Sequence, residues 1–473
     1  MGKKFYYITT TIPYVNADPH LGFALEILQA DCLARYHRLI GDNVFHNFGS
    51  DEHGVKIYQK AIESGKNPQA YVDKYAQRFK NLKDALNLGY DSFIRTTDPK
   101  HIKAAQEFWK LCDKNGDIYK KNYKTKYCVG CEMEKTDSEL INGSCEFHPG
   151  TKLEVIKEEN YFFRFSKYQK PLLNLYKKNS NFVVPSHRLK EIETFVKEGL
   201  QDFSVSRLKS KLPWGVPVPG DQKHVMYVWF DALVNYISAL GWSGKLEQFN
   251  NFWPGTQTAG KDNLRQQSAI WQAMLFSAKL PNSKQIFIHG FITSNGQRMS
   301  KTLGNVIDPF EYVEKYGTDA LRYYLLAKVS PTEDSDFTKE KFEEVYNADL
   351  ANGLGNLVAR IAKLCENSDL HSNNIYQYSI DKSVSDYLES FRFDEALKYI
   401  FENYVSKLDQ EINKAEPWKL EGKKLEEFLE TAVTTIKHMA YNLKPFLPET
   451  AEKIKKQFEG PKIKSEAPLF PRI

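Results

Sequence analysis

A change of hydrophobic period near the N-terminus constrains this chain more than any other feature. Residues 5–15 are rich in Tyr, Ile, Thr and Val, the composition of a strand, and Pro13 ends the run. Beyond Pro19 the pattern changes. Leu21, Leu25, Leu28, Cys32, Tyr36 and Leu39 recur every three or four residues, the stripe of an amphipathic helix that stops at Gly41. Asn43 to Phe48 reads as a second strand, followed by a turn-like stretch from Gly49 to Gly54 and another helical pattern. Strand, glycine-bearing turn, helix and strand together predict an α/β fold with a parallel sheet. Such sheets bind ligands beyond the carboxyl ends of their strands.

At 473 residues the chain is too long for one hydrophobic core and should hold about three domains. From about Asp117 to Gly220 the texture turns to short, lysine-rich, hairpin-like pieces with a tight Cys/His cluster, and the proline- and glycine-rich stretch from Pro213 to Gly220 closes it. Val225 to Ile237 and Gln285 to Ile292 then resume the buried strand-and-helix character. Residues 1–116 and 221–292 are therefore read as two halves of one α/β domain, with 117–220 inserted between them. Residues 293–341 form a loop and connecting region, and 342–473, where helical patterns dominate, a helix bundle.

Composition excludes several classes. Hydrophobic residues are 41% and charged residues 26%, ordinary for a soluble globular protein and wrong for a disordered, collagenous or coiled-coil chain. No apolar run is long enough to cross a bilayer, and MGKKFYYITTTIPYV lacks a signal-peptide core, so no membrane association is expected. Six cysteines in so long a chain are no disulfide framework and fit a reducing cytoplasm. The net charge of +5 is compatible with a polyanionic partner without identifying one; residues 117–220 alone carry 18 basic and 13 acidic side chains.

Four constellations could carry chemistry. In Pro19-His20-Leu21-Gly22, between strand and helix, a glycine lets a ligand approach the backbone, and the helix's first N–H groups point at an anion. Gly296-Gln297-Arg298-Met299-Ser300-Lys301-Thr302 is a polar loop with two cations that can fold over a triphosphate; read singly, it is more simply a solvated surface loop. Cys128-Val129-Gly130-Cys131 and Cys145-Glu146-Phe147-His148 offer three thiolates and one imidazole in two short chelating pairs. That set suits one tetrahedral, structural Zn2+ per chain. Cys32, Cys112 and Cys365 are isolated and read as packing residues. Asn356 and Arg360 share a helical face, and Trp418 follows a proline; on pattern alone they are a cap, a surface charge and a core aromatic.

In this order and separation, the His20 and Lys301 motifs resemble the HIGH and KMSKS signatures of class I aminoacyl-tRNA synthetases. Ile12-Pro13-Tyr14-Val15-Asn16, Ser50-Asp51-Glu52-His53-Gly54, Tyr227-Val228-Trp229-Phe230-Asp231-Ala232 and Gly260-Lys261-Asp262 are similar to segments of the methionyl-tRNA synthetases, and the resemblance runs from Tyr6 to about Trp418. It implies a Rossmann-type parallel sheet with an inserted zinc-knuckle domain, then an all-α anticodon-binding bundle. It also implies a cytoplasmic ligase that activates L-methionine with MgATP (Mg2+ accompanying ATP) and transfers it to the 3′-terminal ribose of tRNA(Met). His20, Arg298 and Lys301 would be catalytic, and His20, Gly22, Gly260, Asp262 and Lys301 would bind ATP. Asp51 would pair with the substrate's α-ammonium, while Ile12, Tyr14, Trp229, Tyr236 and Gln267 would line its side-chain pocket, where sulfur–aromatic contacts suit a thioether. Asn356, Arg360 and Trp418 would read the CAU anticodon by stacking and edge hydrogen bonds.

Three positions differ from the family pattern. Phe23 stands where the first signature has its second histidine, Arg298 replaces the first lysine of the second signature, and Gln267 stands where a histidine is usual. These differences bear on rate and selectivity rather than on fold. Two other readings stay open at this level. One is a class I synthetase of altered amino-acid specificity; Val and Ile specificity are set aside because the insertion has no room for their editing domain. The other is a degenerate paralogue that binds tRNA without activating an amino acid, for which Phe23 and Gln267 speak. The chain ends at Ile473, soon after the bundle, and a monomer is expected.

Overall fold

The computed structural model describes residues 4–135, 139–244, 246–299, 304–368 and 377–473. Its centre is a six-stranded sheet in the order Ser92–Arg95, Asn43–Ser50, Phe5–Thr10, Thr256–Gly260, Gln285–His289 and Val183–Val184. Every neighbouring pair is parallel. The first three strands along the chain are β1 (Phe5–Thr10), β2 (Asn43–Ser50) and β3 (Ser92–Arg95). In β1 every residue after Phe5 is buried, as expected for a strand covered on both faces.

β1 is shorter than its composition suggests, ending at Thr10 rather than Pro13. Beyond it the Thr11 N–H reaches both the Thr258 carbonyl (3.1 Å) and the Glu26 carboxylate (2.6 Å). The chain meets β2's extension again only at a single Tyr14–Asp51 bridge, because Pro13 has no N–H for a continuous ladder. The helix α1 (Leu21–Leu39) begins at His20 and ends before Gly41, whose φ of +95° a residue with a side chain rarely adopts. It is buried on almost every face, including the polar residues Glu26, Gln29, Asp31 and His37.

The chain leaves this body at Ile118. Ile118–Cys128, Met133–Lys135, Glu154–Phe163 and Phe203–Ser204 form an antiparallel four-stranded sheet. Between the last two of these, the chain returns to the main body. Val183–Val184 adds the edge strand of the parallel sheet, and Leu172, Tyr176, Phe182, Ile192 and Val196 pack in one core with Ile286 and Ile288. The interval 117–220 is thus spatially two pieces. The strand His224–Met226 pairs with Ser206–Leu208 and not with the central sheet, whose next strand is instead Thr256–Gly260.

From Pro309 to Gln457 the described residues are mostly helical. Their apolar faces share one core with α1, running from Leu25 and Leu28 through Leu321 and Leu325 to Ile436 and Ile454. Arg322 fastens this junction. Fully buried, it pairs with Asp31 of α1 at 2.9 Å and donates to the carbonyls of Leu86, Pro445 and Phe446.

Candidate active site

The parallel strands end on a common edge, and the first signature lies there. His20 caps α1: its Nδ1 accepts the Gly22 N–H at 3.1 Å, which leaves the imidazole proton on Nε2. A Cβ on Gly22 would lie 2.9 Å from His20 Cε1, so the ring's approach requires glycine. Phe23 backs the imidazole at 4.4 Å between centroids and meets Phe79 edge-on at 5.5 Å. The phenyl ring in place of a second histidine is a packing wedge behind His20.

The second signature is carried to the same edge. The Leu21 N–H donates to the Ile307 carbonyl at 3.2 Å, joining the start of α1 to the chain just after the loop. At the start of the loop, Arg298 pairs back on the strand Ile292–Ser294 as a hairpin. Its guanidinium lies over the Phe291 ring (4.6 Å) and 3.6 Å from the Asp262 carboxylate. Gly260 ends its strand beside Asp262: a Cβ there would sit 2.9 Å from Asp262 Oδ1. His20, Gly22, Gly260, Asp262 and Arg298 therefore border one edge of the sheet. Lys301 lies outside the described residues.

Beneath this edge is a buried ion pair with no signal in the sequence. His289, at the end of its strand, directs Nδ1 at the Gly290 carbonyl (2.7 Å) and Nε2 at the Glu26 carboxylate (3.0 Å). The Gly290 carbonyl can only accept, so Nδ1 carries a proton, and a carboxylate facing Nε2 favours the doubly protonated ring. Burial pulls its pKa down, but Glu26 and the Gly290 carbonyl more than offset this and the net shift is upward. The other Glu26 oxygen accepts from the Thr11 backbone and hydroxyl, fixing the chain where β1 ends.

The second subsite lies across β2. Glu52 anchors its loop, gripped by Arg95 of β3 at 2.6 and 2.8 Å. Asp51 beside it is buried and accepts weakly from the His53 N–H (3.4 Å). Burial, then the carboxylates of Asp231 and Glu132, hold its pKa well above the ordinary carboxylate range. No cationic side chain pairs with it among the described residues, so a small cation would meet a carboxylate that lacks one. Asp231 instead meets two imidazoles: His53 Nδ1 at 2.6 Å and His101 Nε2 at 2.9 Å. Burial raises its pKa, but the two imidazoles outweigh it and the net shift is downward.

Tyr14, paired with Asp51 through the backbone, meets Trp229 edge-on with centroids 6.0 Å apart. Tyr14 Oη and Trp229 Nε1 are buried without a hydrogen-bond partner among the described residues. Ile12 lies against Gly49, where an added Cβ would come within 3.0 Å of its Cγ2. Tyr236, one short helix after Trp229, accepts from Gln267 Nε2 at 2.6 Å, and Gln267 in turn accepts from Gln257 at 3.1 Å. Gln267 sits in a widened π-helical turn, Gln266–Ile270. The structure thus joins Ile12, Tyr14, Asp51 and Trp229 around the end of β2, and Tyr236 with Gln267 in an adjoining relay.

The knuckle residues converge. Cys131 Sγ lies 3.6 Å from Cys128 Sγ, 3.2 Å from Cys145 Sγ and 3.2 Å from His148 Nδ1, and all four ligand atoms lie within 4.8 Å of one another. A tetrahedron with zinc–sulfur bonds of about 2.3 Å has sulfur–sulfur edges of about 3.8 Å, so three thiolates and one imidazole here fit zinc. Gly130 is required for the fold of this loop, since a Cβ would meet the His148 ring at 2.5 Å. Cys32, Cys112 and Cys365 are buried and free.

In the bundle, Asn356 is exposed and Arg360 stands one turn later, paired with Asp409 and donating to Asn413 at 3.0 Å. The helix bearing those partners ends at Ala415, and Trp418 follows in a short 3-10 turn. Its indole is 56% exposed, so the core-aromatic reading does not hold.

The chain matches the family described as tRNA synthetases class I (M) over residues 6–154 and 135–362. Residues 378–472 match the anticodon-binding domain of tRNA ligase. It is 41% identical to the methionine–tRNA ligase of Thermotoga maritima over 470 residues, covering 95% of this chain and 74% of that protein. It is 38% identical to the methionine–tRNA ligase of Brucella suis, covering 100% and 98%. Among solved structures, Mycobacterium tuberculosis methionyl-tRNA synthetase in complex with methionyl-adenylate superposes with a TM-score of 0.92 at 34% identity, covering 99% of this chain and 100% of that one.

Proposed function

The chain belongs to the class I tRNA synthetases of the methionyl type, and we propose that it activates L-methionine with ATP and transfers it to tRNA(Met) through the residues described above. Asp51 takes the α-ammonium, and Ile12, Tyr14, Trp229, Tyr236 and Gln267 enclose the thioether side chain. The methionine carboxylate attacks the α-phosphate of MgATP in line. A carboxylate–phosphate bond forms, the bond to the β-phosphate's bridging oxygen breaks, and pyrophosphate leaves. His20 donates from Nε2, while Arg298 and Lys301 offset the charge gathering on pyrophosphate. Gly22 leaves room for the nucleotide, with Gly260 and Asp262 on its other side. The 2′-hydroxyl of the tRNA's terminal ribose then attacks the adenylate carbonyl and AMP departs. Most of the catalysis is positioning and electrostatics.

Cys128, Cys131, Cys145 and His148 hold one structural zinc, which when bound fixes the fold of the knuckle. Residues 1–116 and 221–292 form the catalytic domain, 117–220 the connective insertion, which lends the strand Val183–Val184 to the catalytic sheet, 293–341 the signature loop and stem-contact region, and 342–473 the anticodon-binding bundle. Asn356, Arg360 and Trp418 read the anticodon, and the half-exposed indole suits base stacking. No helix among the described residues is long and apolar enough to cross a membrane. The unpaired cysteines Cys32, Cys112 and Cys365 fit a reducing cytoplasm, to which we assign the protein, as a monomer.

The observation that carries the reading is the pair of ties, Leu21 to Ile307 and Arg298 to Asp262, that bring both signatures to one edge of the sheet. Phe23 and Gln267, which on sequence alone spoke for a degenerate paralogue, have definite packing and hydrogen-bonding places in the site. ATP–pyrophosphate exchange with each of the twenty amino acids tests the proposal: methionine alone should support it. Lys301→Ala should slow methionine-dependent exchange by roughly 10²–10³ with little change in methionine affinity. Unaltered exchange in that variant would remove the loop from the mechanism.

A further inference from the structure

Glu132 follows directly after Cys131 in the knuckle, yet its side chain lies in the wall of the other subsite. It is 1% exposed and its backbone turns through the left-handed region, φ +52°, to reach inward. Its carboxylate accepts the N–H groups of Val55 (3.2 Å) and Lys56 (2.7 Å), the opening turn of the helix α2 (Val55–Glu63). That helix has no side-chain cap of its own, because Gly54 occupies the capping position. Gly54 is also shaped for the visitor: its φ is +106°, and a Cβ there would collide with the Glu132 carboxylate at 2.6–2.9 Å. The five residues before α2 are Ser50 to Gly54, the loop that carries Asp51.

The same residue holds the opposite wall. The backbone carbonyl of Glu132 accepts a short hydrogen bond from the Tyr227 hydroxyl. Tyr227 immediately precedes the helix Val228–Ala232, which carries Trp229. One residue of the insertion therefore grips both the carboxylate loop and the aromatic wall, through two different atoms and two unrelated segments.

Resting on the function proposed above, we propose that Glu132 is a positioning residue for methionine: it sets the distance between Asp51 and Trp229 and so links the knuckle to amino-acid affinity. It acts through the Asp51 loop and the Trp229 helix, with its carboxylate oxygens spent on the Val55 and Lys56 N–H groups. The nucleotide edge, built from His20, Gly260 and Arg298, has no part in these ties.

The test uses the full-length, metal-loaded protein. Methionine-dependent exchange by the wild type is measured first; its absence would sink the function without bearing on Glu132. Glu132→Ala should raise the KM for methionine about tenfold while the KM for ATP stays within about twofold. Glu132→Gln, which keeps an acceptor oxygen for the helix N–H groups, should restore most of the loss. Tyr227→Phe, which removes the hydroxyl of the second tie and leaves the Glu132 carboxylate in place, should raise the methionine KM about threefold even if the alanine variant fails to fold. Equilibrium dialysis of labelled methionine without ATP should give the same ranking. Equal rises in both KM values, a fall in active fraction alone, a glutamine variant as weak as alanine, or an unchanged methionine KM in Tyr227→Phe would overturn the proposal.

Discussion

Replacing Asp51 by Asn separates binding from stability, because the two should move in opposite directions. In the free protein the Asp51 carboxylate is buried, close to Asp231 and Glu132, and held by one long hydrogen bond. Its ionised form is therefore disfavoured, as the raised pKa records, and becomes favourable when an ammonium pairs with it. An amide of the same shape removes the cost in the free protein and leaves the bound ammonium unpaired. Truncating one partner of a buried, hydrogen-bonded charge pair costs about 2–5 kcal/mol, and about 3 kcal/mol corresponds to roughly 160-fold in affinity. Asp51→Asn should thus raise the methionine KM in pyrophosphate exchange by about two orders of magnitude and the ATP KM by no more than about threefold. The thermal midpoint should hold or rise. The sign of the pH dependence follows from the same shift. The ammonium needs the ionised carboxylate, so wild-type methionine affinity should fall by about tenfold per unit once pH drops below the raised pKa, starting above the usual value of about 3.9. The asparagine variant should show no such fall. A methionine KM changed by less than about tenfold, or a midpoint lowered by several degrees, would mean that Asp51 serves the fold and not the substrate.

Other predictions rest on separate parts of the structure. Elemental analysis should find one zinc per chain, and Cys128→Ser or chelation should unfold the knuckle, read as a loss of slow-exchanging amides in residues 118–163, since metal binding and folding are coupled in such sites. His289→Gln should lower stability at pH 6 by about 3–5 kcal/mol in thermal melts. Because the folded pKa of His289 lies above its unfolded value of about 6.5, its contribution is complete below pH 6.5 and is lost as pH rises through the folded pKa. The wild type should therefore approach the variant at alkaline pH. Trp418→Ala should reduce kcat/KM for tRNA by about 5- to 150-fold, the worth of one stacked base, while pyrophosphate exchange without tRNA is unchanged.

What the sequence disclosed and what it hid divide along physical lines. The first strand and β2 were legible from their composition, α1 from apolar residues spaced three and four apart, and the knuckle because its four ligands fall within Cys128–His148. The strand Thr256–Gly260 was not, since TQTAG carries buried polar side chains whose partners, such as Gln267 for Gln257, become neighbours only after folding. Val183–Val184 is two residues long and leaves no periodic trace. The buried charge network was hidden for the same reason as Glu132: His53 and Asp231 are 178 residues apart, and Glu132 and Val55 are 77 apart. Asp231 stands inside a segment that resembled the family, yet only the fold shows that two imidazoles hold it. Trp418 illustrates the reverse. Pattern made it an ordinary core aromatic, while its exposed indole favours the anticodon role that the resemblance implied.

The central claim is that the two signatures and the Asp51 pocket serve one activated methionine. A crystal structure of the protein with a non-hydrolysable methionyl-adenylate analogue measures this directly. His20 Nε2 and Lys301 Nζ should both lie within contact distance of the same nucleotide, with the ligand's ammonium on Asp51 and its thioether between Tyr14 and Trp229. An analogue bound with His20 and Lys301 facing separate cavities, or with its ammonium away from Asp51, would contradict the account.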